Sequence, residues 1–165
     1  MRGYETSVEI KFRYDDRYRS HLVEDDNPNA WIQIPIQIGD QYIYGEEGVT
    51  GYACTAVLNL LQSIEAIRAG ETFTIEFEFG PTWLVIEPVD TTTIRVAESR
   101  RYSGVNNSSK RLDIDVACTV ARDRWVAEVI EVTNDFIEQV VSLNPEVDDS
   151  PYIVQLRGKL DQVTS

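Results

Sequence analysis

The chain has one histidine, His21, and two cysteines, Cys54 and Cys118. Nucleophilic catalysis would need a thiol beside that imidazole, which accepts its proton and leaves a thiolate to attack. The placement argues against it. His21 lies in a polar stretch between Ser20 and Leu22, Cys54 falls on an expected helix, and Cys118 falls on the apolar phase of an expected strand. Both cysteines therefore read as inert core thiols rather than as nucleophiles or a disulfide. No Cys/His cluster has zinc-ligand spacing. Gly45, Gly48 and Gly51 are spaced by three, but they follow a hairpin and lack the lysine of a phosphate-cradling loop.

Carboxylates are the other source of chemistry. Glu76 and Glu78 share one strand face, about 7 Å apart by strand rise, and Asp113 and Asp115 repeat that spacing. On neighbouring strands these four acids would gather on the sheet face away from the helices. There they could hold a divalent cation or perform glycosidase-type work. Outward positions of one-sided strands are ordinarily charged, so solvated acids are the expectation, as they are for Glu46-Glu47 and Asp148-Asp149. No catalytic residue, metal ligand or cofactor is assigned.

The charge balance says more about partners than about reactions. The chain has 28 Asp+Glu against 15 Lys+Arg, a net charge of −13. Such a surface repels phosphate and attracts cations and basic proteins. Nucleic-acid binding is disfavoured because counterion release needs clustered bases. Only Arg100, Arg101, Lys110 and Arg111 cluster, on one loop, where pairing with neighbouring acids is the better account. The acidity also fits a halophilic housekeeping domain whose acids serve solubility, since Lys (three) is scarce relative to Arg (twelve). The N-terminal residues carry no apolar run after their basic residue, and no apolar stretch is long enough to span a bilayer, so a cytoplasmic protein is expected.

The positioning elements read as follows. Tyr4 to Tyr14 alternate apolar and polar, which is a strand with one dry face. A polar connection, 15–29, contains Glu24-Asp25-Asp26. Trp31 to Ile38 is a second strand, edged or bulged at Pro35, and Gly39-Asp40 turns it into a short Tyr42–Tyr44 strand. A helix capped by Thr50 runs to Gly70. Strands follow at 73–79, 83–87, 92–97 and 112–120, with the polar loop 99–111 before the last. A helix from Asp123, its plausible cap, stops at Asn144-Pro145, and Ser150-Pro151 opens a short C-terminal helix. With 42% apolar residues the chain can bury a core. The expectation is a single α+β domain over 1–165. It would have a mostly antiparallel sheet of six or seven strands, two amphipathic helices on one face, and a short C-terminal helix. Trp125 should be buried, while Trp31, Trp83, Tyr42 and Tyr44 fall where exposed aromatics are possible.

At Phe73–Glu87 (FTIEFEFGPTWLVIE), and where a strand hands over to the helix Asp123–Leu143 followed by Asn144-Pro145, the chain resembles small bacterial α+β domains. Some of these are grouped with immunity proteins of polymorphic toxin systems. The resemblance implies a non-enzymatic acidic protein that binds and blocks a basic toxin. The expected function is therefore capture of a basic protein partner, with neither nucleic acid nor membrane as target. The expected contact patch is Glu24, Asp25, Asp26, Glu46, Glu47, Glu76 and Glu78. A halophilic solubility role and a carboxylate-based, metal-dependent hydrolase are the alternatives.

Overall fold

Pro35 has no N–H to give to a ladder, and the strand expected over 31–38 breaks there into β2 (Trp31–Ile34) and β3 (Ile36–Ile38). The computed structural model describes residues 6–80 and 82–165; Tyr4 of the first expected strand and Pro81 of an expected turn lie outside them. β1 (Val8–Ile10) pairs antiparallel with β3. Beyond it, Lys11 N–H donates to the Pro35 carbonyl at 3.0 Å and Arg13 N–H to the Gln33 carbonyl at 3.0 Å. The first strand thus follows both halves across the kink. On the other side β4 (Gln41–Ile43) pairs with β3, and β5 (Val49–Tyr52) pairs with β2.

Opposite Pro35, residues 44–48 leave the ladder between β4 and β5. Tyr44 takes a φ of 60° and Gly48 a φ of 73°. Gly48 has no alternative: a Cβ there would collide with the Ile34 carbonyl and Pro35. This excursion carries Tyr44, Glu46 and Glu47.

The second half of the chain forms an antiparallel meander of β6 (Phe73–Phe77), β7 (Thr82–Pro88), β8 (Thr93–Ser99) and β9 (Ala117–Ala121), in that spatial order. Ile75, Leu84, Ile86, Ile94, Val96 and Val120 line its buried face. The opposite face is not bare, because Val85, Ala97 and Ser99 are fully buried too. The long loop 100–116 folds over it: Arg111 Nη1 donates to Glu87 at 3.2 Å, and Arg111 Nε to the Gly104 carbonyl at 2.7 Å.

Several expectations need correction. Among the described residues, the single sheet of six or seven strands is instead three antiparallel sheets, of three, two and four strands. Pro35 and the 44–48 excursion divide the first two. At the junction with the third, the Phe77 ring and the Glu78 carboxylate pack against side-chain-free Gly51. The strand expected over 112–120 begins only at Ala117, because Asp115 N–H turns back to the Leu112 carbonyl at 3.0 Å; Ile114 is left 67% exposed.

The helices depart less. α1 (Asp16–Glu24) occupies the expected polar connection; Asp15 caps it by accepting from Tyr18 N–H at 2.9 Å, and only Tyr18 and Leu22 are buried. Two apolar positions are too few to reveal a helix by periodicity. α2 (Ala53–Arg68) starts after Thr50, which belongs to β5; its N-cap residue Tyr52 makes no side-chain cap, and Asn29 Oδ1 accepts from the first-turn Thr55 N–H at 3.0 Å instead. Gly70, at φ 75°, follows its end as expected. α3 (Arg122–Leu143) holds Asp123 in its first turn rather than at the cap, where a carboxylate still complements the helix dipole. α4 (Pro151–Thr164) opens on Ser150 and Pro151 as expected, but its 14 residues make it no short helix. α2 packs on β6 and β7, α3 on β1 and β9, and α4 on both helices. One apolar core joins them, with Trp125 fully buried and its indole N–H donating to Ser63 Oγ at 3.2 Å.

Candidate functional site

The seven acids of the expected contact patch are all exposed. The structure does not bring them into one cluster. At the C-terminal end of α1, Glu24 accepts from Ser20 Oγ at 2.6 Å, Asp25 pairs with His21 Nδ1 at 3.0 Å, and Asp26 accepts from Asn144 Nδ2 at 2.7 Å. Glu76 faces Trp83 across the β6–β7 ladder, and Glu78 lies beside Gly51 in β5. Glu46 and Glu47 sit apart in the 44–48 excursion. That excursion follows the Ile34–Val49 end of the β2–β5 ladder, about 10 Å by strand rise from its Trp31–Tyr52 end. There Glu46 borders a groove of 140 Å³ that also contains Lys11 and Arg13, so part of its field is already met by cations.

At the Trp31–Tyr52 end lies an open hollow of 350 Å³ lined by His21, Asn27, Ala30, Trp31, Tyr52 and Phe79. Three segments supply the Trp31, Tyr52 and Phe79 rings, and α1 closes a further side. β2 and β5 put Trp31 directly across from Tyr52. The turn after β6 adds Phe79, whose ring centroid is 5.0 Å from that of Trp31 and 6.0 Å from that of Tyr52, tilted by 41° and 58°. α1 supplies His21, and one turn earlier Arg17, whose Cζ sits 4.4 Å from the Trp31 ring centroid. Aromatic faces carry negative potential and attract cations, as the Arg17 contact illustrates. Asp25, through its pair with His21, puts a carboxylate beside the lining.

Tyr52 and Phe79 escaped the sequence reading. Phe79 continued the alternation of β6, but the strand ends at Phe77 and the turn brings its ring out of the core. Tyr52 becomes notable only through its cross-strand register with Trp31, a relationship no local spacing encodes.

The catalytic alternatives fare differently. β6 and β9 are opposite edges of the meander, and Asp113 and Asp115 lie before β9 rather than on it, so the four-carboxylate cluster does not form. Asp115 is instead part of a buried ionic node. Arg100 Nη1 donates to Glu98 and to Asp115, each at 2.7 Å, and both carboxylate side chains are 1% exposed. With the Arg111–Glu87 pair, this ties the basic loop to its neighbouring acids. Burial pushes the Cys54 and Cys118 thiols up, which keeps both protonated at neutral pH. Among the described residues, no group of three or more His, Cys, Asp or Glu side chains is placed to hold a metal ion, and no helix is long and apolar enough to cross a membrane.

Comparison of the chain with family models, with curated proteins and with solved structures finds no match.

Proposed function

We propose that this chain is a non-catalytic acidic protein that captures a basic protein partner, in the specific form of an immunity-type protein that neutralises a toxin in the cytoplasm. The observation that carries the reading is the hollow of Trp31, Tyr52 and Phe79 with the Asp25–His21 pair at its border. Trp and Tyr supply most of the affinity at protein interfaces, where a well-packed centre surrounded by a polar rim is the usual arrangement. A net charge of −13 adds long-range attraction, which speeds encounter with a basic surface more than it tightens the complex. The protonated thiols favour binding over nucleophilic chemistry.

The test is capture on the immobilised chain followed by binding measurements with the purified partner. That partner should carry net positive charge, and its affinity should fall by at least about tenfold when Asp25 and Glu78 are both changed to Lys. Binding should also weaken as salt rises. An acidic partner, or affinity indifferent to the double reversal, overturns the reading. A separate reversal of Glu46 and Glu47 tells whether the excursion shares the interface.

A further inference from the structure

We infer that the hollow is an arginine socket, in which one guanidinium of the basic partner stacks among Trp31, Tyr52 and Phe79 and pairs with a bordering carboxylate. This deepens the proposed function and rests on its assignment of the hollow as the docking surface.

Four observations point to arginine. First, three rings from three separate segments converge on one open space, and Tyr52 remains 42% exposed. Second, one of the three rings already carries a guanidinium outside the hollow's lining, Arg17 at 4.4 Å from the Trp31 centroid, which shows the kind of cation this indole accepts. A planar delocalised cation stacks on an aromatic face and forks onto a carboxylate at the same time, which the compact ammonium of lysine does less well. Third, the 350 Å³ volume is at the small end of ligand-sized hollows, about 300–1,000 Å³. It has room for a long side chain but not for a helix or strand of the partner. Fourth, Asp25 is available. Its side chain pairs with His21, both side chains are well exposed at 62% and 44%, and such surface pairs contribute little. An incoming guanidinium can replace the imidazole at small cost.

The experiment uses the full chain and N-acetyl-arginine amide as probe. Binding is read from the shift of the Trp31 indole N–H resonance, assigned by its loss in Trp31→Phe. N-acetyl-citrulline amide, of the same shape without charge, and N-acetyl-lysine amide are the comparisons. Arginine amide should bind in the millimolar range and citrulline amide about tenfold more weakly, with lysine amide in between. Tyr52→Ala, at an exposed position, and Asp25→Asn should each weaken the arginine probe severalfold while leaving the melting temperature near that of the parent. No Trp31 shift with arginine amide, equal binding of citrulline or lysine amide, or full binding by Tyr52→Ala overturns the socket. If the small probe fails while a basic protein still binds and responds to reversal of Asp25 and Glu78, the socket is wrong and the proposed function stands. If neither binds, both are wrong.

Discussion

The phenolic oxygen of Tyr44 lies 2.7 Å from the carbonyl oxygen of Ser99 and 3.0 Å from its amide nitrogen. It meets Trp83 in the same way, at 2.7 Å from the carbonyl and 3.2 Å from the amide. Trp83 and Ser99 are cross-strand neighbours at the end of the β7–β8 ladder. The Tyr44 hydroxyl therefore takes both N–H donors and shares its proton between both carbonyls of that pair. Through this one side chain the 44–48 excursion of the first sheets is fastened to the meander. Its own backbone N–H donates to buried Glu98 at 2.5 Å, and the Arg100 guanidinium stacks 4.7 Å from its ring centroid.

Tyr44→Phe keeps the ring and removes the hydroxyl, and with it the hydrogen bonds to the Trp83 and Ser99 backbone. The expected loss is about 1–3 kcal/mol, the cost of unsatisfied buried polar groups, read from urea unfolding. Tyr152→Phe, at a site 44% exposed, should change stability by less than about 0.5 kcal/mol. Equal effects at the two positions would show that the hydroxyl is not a fastening.

Alkaline pH should unfold the protein through its buried phenols. Burial pushes Tyr44 up to about 12, and Tyr14 and Tyr18 are raised further for the same reason. In the unfolded chain tyrosines lose their protons near pH 10, as free phenols do. Between about pH 10 and 12 the unfolded state therefore holds fewer protons than the folded one, so stability falls as pH rises. Denaturant midpoints should be level up to about pH 9 and then decline steeply, with phenolate absorbance appearing together with unfolding. A flat profile through pH 12 would contradict these environments.

Arg100→Met should be among the most damaging single changes. It leaves the buried carboxylates of Glu98 and Asp115 facing each other without their shared cation, an arrangement that costs about 3–5 kcal/mol. Adding Glu98→Gln to that variant removes one of the unpaired charges while keeping an acceptor for the Tyr44 N–H, so it should recover part of the loss in thermal melts. If the second change makes matters worse, charge is not what Arg100 compensates.

Glu128 is expected to be a liability at neutral pH. Its Oε2 accepts from the Ile10 N–H on edge strand β1 at 2.7 Å. Burial pushes its carboxyl above the ordinary range, the Ile10 bond pulls it partly back, and Glu131, Glu9 and Asp135 push it up again. The folded state thus binds this proton more tightly than the unfolded chain does. That contribution favours folding at low pH and is lost as pH rises from about 4.3, the ordinary glutamate value, through the raised one. Glu128→Gln retains an acceptor for Ile10 without the charge, so its melting temperature should exceed the parent's at pH 7. The advantage should shrink towards pH 4. A variant less stable at pH 7 would mean that the charged bond outweighs desolvation.

What local spacing encodes was legible in the residues themselves. The apolar stripe from Trp125 to Leu143 specified α3, Ser150-Pro151 marked the start of α4, the alternation read over 73–79 contained β6, and the missing donor of Pro35 marked an edge or bulge where the strand in fact divides into β2 and β3. Such patterns state which face of an element is dry, because burial follows the 3.6- and 2-residue periods of the backbone. They do not state which elements meet. The Trp31–Tyr52 register, the outward turn of Phe79, the reach of Tyr44 to Ser99 and the burial of Glu98 and Asp115 around Arg100 all join residues distant along the chain. Each depends on how the sheets and helices close on one core. The residues at 112–116 show the limit from the other side: their alternation is that of a strand, yet hydrogen bonds to Asp115 turn the chain aside. The acidic character of the surface was written in the composition, but the aromatic hollow that gives part of it a focus exists only where three segments fold together.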